Sequence, residues 1–437
     1  MQRYGAYRDS GVEWIGEIPE GWEVAPIKHL ATCNDETLPE GTNGEYRFRY
    51  VDISAVSENS IGEYQEMRFR DAPSRARRVV RAGDVLVSTV RTYLKAIARV
   101  DDPENVIAST GFAVLRPRRI ASRFFAYSLL NDCFAQVVSA YSVGISYPAI
   151  NSSELVKLNL AVPGIAEQQA IADYLDGKTA EIDSIVSQTE RSIELLREYR
   201  KSVISEAVTK GLDPDAPMRD SGVEWIGEIP EGWCCSRLKF YIEGVRVGPF
   251  GSAVKTSDYV DNGVPMYTQE TVIKGDHSVS KFVTTDKAGE LASFSASPGD
   301  FLVTTRGSLG YLFELPSSAI DGVIHPCLIR FRLKEASLNK PFLKYVANGS
   351  SVFDGQISFK SASSTIPVLY SDDLRSLYLV IPPLPEQQAI ADYLDAKTAE
   401  IDSLIADKQR QVELLREYRK SLISEAVTGK FKVPGLE

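Results

Sequence analysis

The chain has 437 residues, a formal net charge of −10, and ordinary hydrophobic (43%) and charged (25%) fractions. This length is enough for two to four domains with their own cores. The sequence contains no apolar run of membrane-span length and begins without a secretory signal, so we expect a cytoplasmic protein. The five cysteines form no C-x-x-C pair and the three histidines are scattered, which argues against a disulfide framework or a zinc site.

Two segments of the chain occur twice. Residues 8–22 read RDSGVEWIGEIPEGW, and residues 219–233 repeat the same letters. Residues 167–176 read EQQAIADYLD, and residues 386–395 repeat them. The second match continues through KTAEIDS and ELLREYRKS in both copies. The repeats therefore form one frame present in two copies.

Between the repeats lie two inserts, 23–162 and 234–381, whose sequences hardly resemble each other. Each insert carries a net charge of +1, so the remainder of the chain carries −12. The acidic residues are concentrated in the frame, and the inserts are close to neutral. The overall negative charge therefore neither excludes nor proves DNA binding by the inserts.

Both inserts are predicted to be mostly β. The motif G-D-x-L-V-[ST]-T occurs in each, at an offset between those of the two repeats, which indicates that the inserts are diverged copies. Alternating or buried apolar runs predict strands, and each insert also holds a short helical pattern. We expect α+β domains built around a curved sheet. The predicted strands are 46–56, 83–89, 112–115 and 299–305, and the short helices lie near 121–139 and 338–349.

The second repeat predicts a helix of about 45 residues, over 165–209 and again in the C-terminal copy. Pro163 and Pro382 suit the two helix starts, and Gly211 and Gly429 suit the ends. The apolar residues follow a 4-3 spacing, so each helix should bury one stripe, most simply against the other copy in antiparallel orientation. The predicted stripes contain Ile171, Leu175, Ile182, Ile185, Leu196, Tyr199 and Val203, and Ile390, Leu394, Ile401, Leu404, Leu415, Tyr418 and Leu422.

The sequence resembles the specificity subunits of type I restriction–modification systems. The resemblance rests on the SGVEWIGEIPEGW segments, the EQQAIADYLD helix starts, the TAEI elements and the two G-D-x-L-V-[ST]-T strands, and it extends from end to end. It implies an α+β fold, with two target recognition domains separated by two long antiparallel helices in a coiled-coil-like spacer with an internal pseudo-twofold. The expected segments are 1–22 (first repeat), 23–162 (recognition domain 1), 163–210 (central helix), 211–233 (linker and second repeat), 234–381 (recognition domain 2) and 382–430 (C-terminal helix).

The resemblance further implies a subunit that is not itself catalytic. Each recognition domain would read one half of a bipartite site in double-stranded DNA. The helices would set the spacing and dock two modification subunits, which bring S-adenosylmethionine, while restriction subunits that use ATP and magnesium could join. No cofactor is expected on this chain.

Arginine suits both guanine edges and phosphates, so basic side chains near predicted loops are candidates for DNA contact. In the second insert, Arg306 is taken as the position equivalent to Arg91, and a P-F-G-S segment at 249–252 precedes a lysine. For any single residue, a solvated surface charge is the competing explanation. The candidates are Arg75, Arg77, Arg78, Arg91, Lys95 and Ser146 in the first insert, and Lys255, Gln269, Arg306, Ser308 and Lys360 in the second.

Three alternatives stay open on the sequence. Residues 172–179 match a relaxed phosphate-loop pattern, but the match lies inside a predicted helix, and its twin has Ala396 in place of Gly177. A stand-alone nuclease with loosely spaced carboxylates leaves no distinctive motif. A two-headed protein-binding scaffold would show the same repeats, and it differs by lacking salt-dependent affinity for duplex DNA.

Overall fold

A computed structural model describes residues 2–102, 104–144, 148–278, 280–334, 338–361 and 367–435. The chain divides into two compact units. Unit 1 comprises Met1–Glu190 and Arg410–Glu437, and unit 2 comprises Arg191–Gln409. Each unit contains one insert and parts of both long helices, so neither helix belongs to a single unit.

Unit 1 is built from short strands, short helices and parts of both long helices, of which the first begins in this unit. The elements are β1 (Tyr7–Asp9), β2 (Glu17–Pro19), β3 (Glu23–Pro26), α1 (Ile27–Leu30), β4 (Ala31–Cys33), β5 (Arg47–Val51), β6 (Val56–Ser57), β7 (Ser60–Ile61), β8 (Gln65–Arg68), β9 (Ala76–Val79), β10 (Val85–Ser88), β11 (Ile97–Arg99), β12 (Val106–Ser109), β13 (Phe112–Pro117), α2 (Ser122–Leu130), α3 (Asp132–Ala140), α4 (Ser152–Leu155), β14 (Asn159–Val162) and α5 (Ile165–Lys210).

Unit 2 continues from α5 and repeats this plan. Its elements are β15 (Met218–Asp220), β16 (Glu228–Pro230), β17 (Cys234–Arg237), β18 (Ile242–Val247), β19 (Tyr259–Val260), β20 (Val264–Tyr267), α6 (Gln269–Lys274), β21 (Ser280–Val283), α7 (Thr285–Glu290), β22 (Ser295–Ala296), β23 (Phe301–Thr304), β24 (Leu312–Glu314), β25 (Gly322–Ile324), β26 (Leu328–Leu333), α8 (Lys340–Gly349), α9 (Ser351–Ser361), α10 (Ser371–Ser376), β27 (Tyr378–Ile381) and α11 (Leu384–Val427).

The two inserts share one sheet topology although their sequences differ. In unit 1 an antiparallel sheet has the order β11-β10-β13-β4, and a second sheet has the order β8-β5-β12-β9, in which β5 and β12 are parallel. In unit 2 the antiparallel sheet is β24-β23-β26-β18, and the second sheet contains β21-β20-β25-β22, with β20 and β25 parallel. The prediction that the inserts are diverged copies is confirmed.

The central strand of each insert is buried on both faces. Val85 and Val87 of β10 belong to the core that includes α2 and the start of α5, whereas Leu86 faces a core formed with the second sheet. In β23, Phe301 and Leu302 divide in the same way. Since successive side chains of a strand alternate between faces, each insert is a helix–sheet–sheet sandwich, and the α+β prediction is confirmed.

The two long helices run antiparallel within each unit. In unit 1 the Arg419 guanidinium lies 2.9 Å from the Asp183 carboxylate, and Arg416 lies 2.7 Å from Glu190. In unit 2 the Arg200 guanidinium lies 2.9 Å from Asp402. Arg200 and Arg419 are equivalent in the repeat, as are Asp183 and Asp402, so each unit contains the same interhelical pair.

The buried stripe of the helices departs from the predicted stripe after its first half. Ile171, Leu175 and Ile182 are buried as predicted, and the stripe then continues through Val186 and Ile193. In the second copy Ile390, Leu394, Ile401 and Leu422 are buried as predicted, and Val412, the equivalent of Ile193, is buried with them. The predicted and observed stripes diverge along the helix because a strict 4-3 spacing assumes 3.5 residues per turn, whereas a straight α-helix has 3.6. The members that are exposed instead are Ile185, Tyr199, Leu404 and Tyr418.

Two further predictions need correction. The helix predicted near 121–139 is two helices that meet at Asn131, whose buried side chain accepts a hydrogen bond from the Cys133 amide. The strand predicted over 46–56 ends at Val51, and a 3₁₀ turn follows. Within the described part of the chain, no helix combines the length and the apolar character needed to cross a membrane.

Candidate nucleic-acid interface

The aspartate of each G-D-x-L-V motif is buried and neutralised by arginine. Asp84 is 1% exposed and accepts from the Arg116 guanidinium at 2.9 Å. Asp300 is fully buried and lies 3.2 Å from Arg330, with Arg332 on its other oxygen. A buried carboxylate requires such partners. Arg116, Arg330 and Arg332 therefore hold the sheet together at the start of each central strand.

The turn after each central strand is fixed by a second segment of the insert. The Ile150 amide donates to the Thr89 carbonyl at 2.9 Å in unit 1, and the Leu369 amide donates to the Thr305 carbonyl at 3.0 Å in unit 2. Backbone bridges join Val90 to Ala149 and Arg306 to Val368. Each turn is therefore held to the second segment by a hydrogen bond and by a backbone bridge at the next residue.

This pairing corrects the alignment of the two turns. Arg306 occupies the place of Val90, because both form the bridge to the second segment. Arg91 has a φ of 50°, and the next residue of the second turn, Gly307, has a φ of 65°. Arg91 and Gly307 are thus equivalent in the backbone, and the expected equivalence of Arg91 with Arg306 is wrong by one residue.

The candidate residues of the first turn lie close together. Arg91 is exposed, and its amide donates to the Pro148 carbonyl at 2.8 Å. Lys95 also has a φ of 50°, and its ammonium is paired with Asp132 at the start of α3. Ser146 lies outside the described residues. The 3₁₀ turn thus lies between two basic residues, of which Arg91 is exposed and Lys95 is half-buried and paired within the insert.

Arg77 and Arg78 lie on β9, at the edge of the second sheet, and Arg75 directly precedes that strand. Arg75 is paired with Asp52 and donates to the Tyr50 hydroxyl at 3.2 Å. The Arg77 guanidinium lies 4.7 Å from the centre of the Phe69 ring. Arg78 donates to Thr37 at 3.4 Å, while its Nε is buried without a partner. Each already has contacts within the insert that a phosphate would have to replace or supplement.

The second insert brings together some of its candidates. The Gln269 amide nitrogen lies 3.2 Å from the position that a Cβ on Gly307 would take, so Gln269 contacts the turn that carries Arg306 and Ser308. Arg306 and Ser308 are both exposed. Lys255 is exposed just after the P-F-G-S loop. Lys360 lies elsewhere, on α9, in a groove with Trp225 and Tyr378.

The P-F-G-S loop and the Arg306 turn border one cleft of about 700 Å³. Phe250 and His325 also line it. Burial, together with the charge of Lys281, lowers the pKa of His325. Its Nδ1 accepts from the Cys327 amide at 3.3 Å. The lowered pKa favours the neutral imidazole, which contributes hydrogen bonding rather than charge.

The sequence reasoning missed the residues that fix each insert to its long helix. In unit 1 the buried Gln168 accepts from the Ala121 amide at 2.7 Å and donates to the Pro163 carbonyl at 2.8 Å. In unit 2, Gln387 makes the same two bonds with the Asn339 amide and the Pro382 carbonyl, each at 2.8 Å. The glutamine of the EQQ motif thus joins the helix start to the neighbouring helix of the insert.

A tyrosine completes each attachment. The Tyr127 hydroxyl donates to Asp176 at 2.7 Å and lies 3.3 Å from the Thr179 hydroxyl. Burial raises the pKa of Tyr127 to about 12, and the bond to Asp176 adds to the shift. In unit 2, Tyr345 meets Asp395 and Thr398 in the same way. The only signal in the sequence was the near-equal offset of the two tyrosines, inside inserts that otherwise differ.

Groups of three or more histidine, cysteine or carboxylate side chains that could hold a metal ion do not occur among the described residues. All five cysteines are free thiols. The polar groups that recur in both units serve the packing of the sheet, at Asp84 and Asp300, and the attachment of the insert, at Gln168 and Gln387.

Comparison with known proteins decides the family. The model of the type I restriction modification DNA specificity domain matches residues 19–195 and 250–414. The chain belongs to this family. It is a specificity subunit of a type I restriction–modification system, the DNA-recognition component, and it is not itself catalytic.

The relatives and solved structures agree over nearly the whole chain. The putative MjaX specificity subunit of Methanocaldococcus jannaschii is 24% identical, with 96% of each chain covered. The EcoKI specificity subunit of Escherichia coli is 22% identical, covering 95% of this chain and 90% of that one. A chain from a study of complex assembly and conformational transition in a type I R-M system has a TM-score of 0.75 at 23% identity, covering 94% and 98%. The HsdS subunit of Thermoanaerobacter tengcongensis has a TM-score of 0.52 at 23% identity, with the same coverage.

Proposed function

We propose that each insert reads one half of a bipartite site in duplex DNA, and that the two long helices set the distance between the half-sites. The main support is that one topology occurs twice with different surface residues. Matching frameworks place the two reading surfaces equivalently on their helices, whereas unlike side chains give each a different target. Localisation in the cytoplasm, where the DNA would be, and the segment boundaries 23–162 and 234–381 for the two readers belong to this proposal.

Reading at a set spacing requires that each insert be held rigidly on its helix. The buried Gln168 and the Tyr127–Asp176 bond supply this in unit 1, and their equivalents supply it in unit 2. Hydrogen bonds from buried side chains fix orientation more firmly than a flexible linker can. A longer helix would therefore move the reader with it.

Within each insert, the loops after the central strand are the proposed reading surface. Arg91 and Lys95 serve the first half-site, and Gln269, Arg306 and Ser308 serve the second. Arginine and glutamine are able to make paired hydrogen bonds to guanine and adenine edges. Arg75, Arg77, Arg78, Lys255 and Lys360 are assigned to phosphates, where contacts position the domain without specifying sequence, and Ser146 stays a candidate.

Exposed apolar residues on the helices support docking of two modification subunits. Unit 1 exposes Ile185, Leu414 and Tyr418, and unit 2 exposes the equivalent residues of the other helix copy. Exposed apolar patches on a helical surface are typical of protein–protein contact. Two equivalent sets suit two copies of one partner, which would supply S-adenosylmethionine and the methylation chemistry. Restriction subunits that use ATP and magnesium could join this assembly.

The decisive experiment replaces residues 23–162 with the corresponding insert of a relative and maps the methylated sites of the assembled complex. We expect one half-site to change and the other to be retained. A change in both half-sites would contradict independent reading. The matched control is the reciprocal replacement of 234–381, which should change only the other half-site. Affinity of the complex for duplex DNA should also fall steeply with salt, which a protein-binding scaffold would not show.

A further inference from the structure

The cleft in unit 2 combines an exposed aromatic ring with basic and neutral polar walls. Phe250 is 88% exposed, an extreme value for a large apolar side chain in this chain. Arg246, Arg306 and His325 line the same cleft, as does the exposed Tyr370. The residues lining this cleft in the described chain include no carboxylate. Outside the lining, Asp373 accepts from the Tyr370 amide at 3.3 Å.

Backbone hydrogen bonds preform the cleft. The Gly248 amide donates to the Leu328 carbonyl at 2.9 Å, and the Thr305 amide donates to the Cys327 carbonyl at 2.9 Å. A Cβ on Gly248 would lie 2.3 Å from the His325 carbonyl oxygen, so only glycine allows the loop to approach this closely. The exposed ring is therefore presented by a loop seated on the sheet. Little ordering is needed before it binds a partner.

We propose that this cleft receives base edges of the second half-site, with Phe250 as the apolar contact that recognises a thymine methyl group. This inference rests on the proposed function and names a specificity residue within it. A phenylalanine against the C5-methyl is an established mode of thymine recognition in the major groove. The surrounding arginines suit phosphates and guanine edges and are poorly suited to an apolar protein segment. The first insert lacks the P-F-G-S segment, which accords with two unlike half-sites.

The test compares Phe250→Ala with Phe240→Ala in the complex assembled with its modification subunits. Phe240 is a matched control because it is 58% exposed in the same unit and does not line the cleft. Duplexes carrying the mapped site are titrated at fixed salt. We expect Phe250→Ala to weaken binding roughly tenfold and Phe240→Ala to change it less than twofold. Discrimination at the first half-site should stay unchanged in both variants.

A second series locates the contact by replacing each thymine of the second half-site with deoxyuridine, which removes only the methyl group. At one thymine position, the complex that retains Phe250 should bind the deoxyuridine duplex about fourfold more weakly than the thymine duplex. Phe250→Ala should show no loss there, because its contact is already absent. The inference is wrong if the complex that retains Phe250 prefers its site but no thymine replacement weakens its binding. It is also wrong if Phe250→Ala and Phe240→Ala change the affinity equally. A complex without preference for any bipartite site would instead overturn the proposed function.

Discussion

Replacement of Gln168 by alanine tests how the first insert is attached to α5. The side chain is 2% exposed and bonds both the Ala121 amide and the Pro163 carbonyl. Alanine leaves both backbone groups without a partner, at about 1–3 kcal/mol for each buried group. Because Ala121 is partly exposed, water recovers some of this cost, and we expect a loss of about 2–4 kcal/mol. That corresponds to roughly 30-fold to several-hundred-fold more frequent local opening.

Hydrogen–deuterium exchange followed by mass spectrometry measures this directly in peptides covering α2 and the start of α5. The control is Gln188→Ala on the same helix, whose exposed amide donates only to the Ser184 hydroxyl, at 3.2 Å. Exchange in the control should change less than about threefold. The reasoning fails if Gln168→Ala exchanges like the control, or if the acceleration spreads equally to peptides of unit 2.

Three further outcomes are expected. Gly177→Ala should raise the free energy of unfolding by about 0.5–1 kcal/mol in denaturant titration, since a Cβ there meets nothing within 4 Å and the second copy already carries Ala396; destabilisation would count against the helix geometry. Arg91→Gly should leave the protein at least as stable in thermal unfolding, because glycine tolerates the φ of 50° at this position. The same variant should weaken binding to the first half-site about tenfold. Unchanged binding would show that Arg91 is not part of the interface. Burial disfavours the charged form of Glu314, but two lysines of α8 outweigh the burial and lower the pKa of Glu314. The stability that the Glu314 charge contributes is therefore complete at neutral pH and is lost as pH falls below about 4.5. Glu314→Gln should flatten that part of the plot of stability against pH, and an unchanged plot would contradict the assignment.

The repeated frame was predictable because two copies of one sequence must form the same local structure. Duplication gave the two helices, their ends at Gly211 and Gly429, and the correspondence of the central strands. The burial pattern was less predictable. A heptad count from Ile171 places Ile185 and Tyr199 on the buried seam, but the true helical period carries them to the surface, about four and about eight turns further on.

The contacts that attach the inserts could not be predicted from the sequence, because they join residues far apart in the chain. Gln168 and Tyr127 look like ordinary helix residues until the fold brings them to their partners. For the basic candidates, the sequence indicated a DNA contact where the structure shows contacts within the insert. Arginine content indicated DNA contact, but Arg116 neutralises a buried aspartate, and Arg75 is paired with Asp52. Composition cannot distinguish an arginine that serves the sheet from one that faces a ligand.

The spacing of the half-sites is the measurement that tests the account most directly. Insertion of one further TAEI unit in α5, after residue 182, adds about 6 Å of helix. At about 3.4 Å per base pair, mapping of the methylated sites should show the same two half-sites separated by one to two additional base pairs. The same half-sites at the original separation would contradict the role of the long helices in setting the distance.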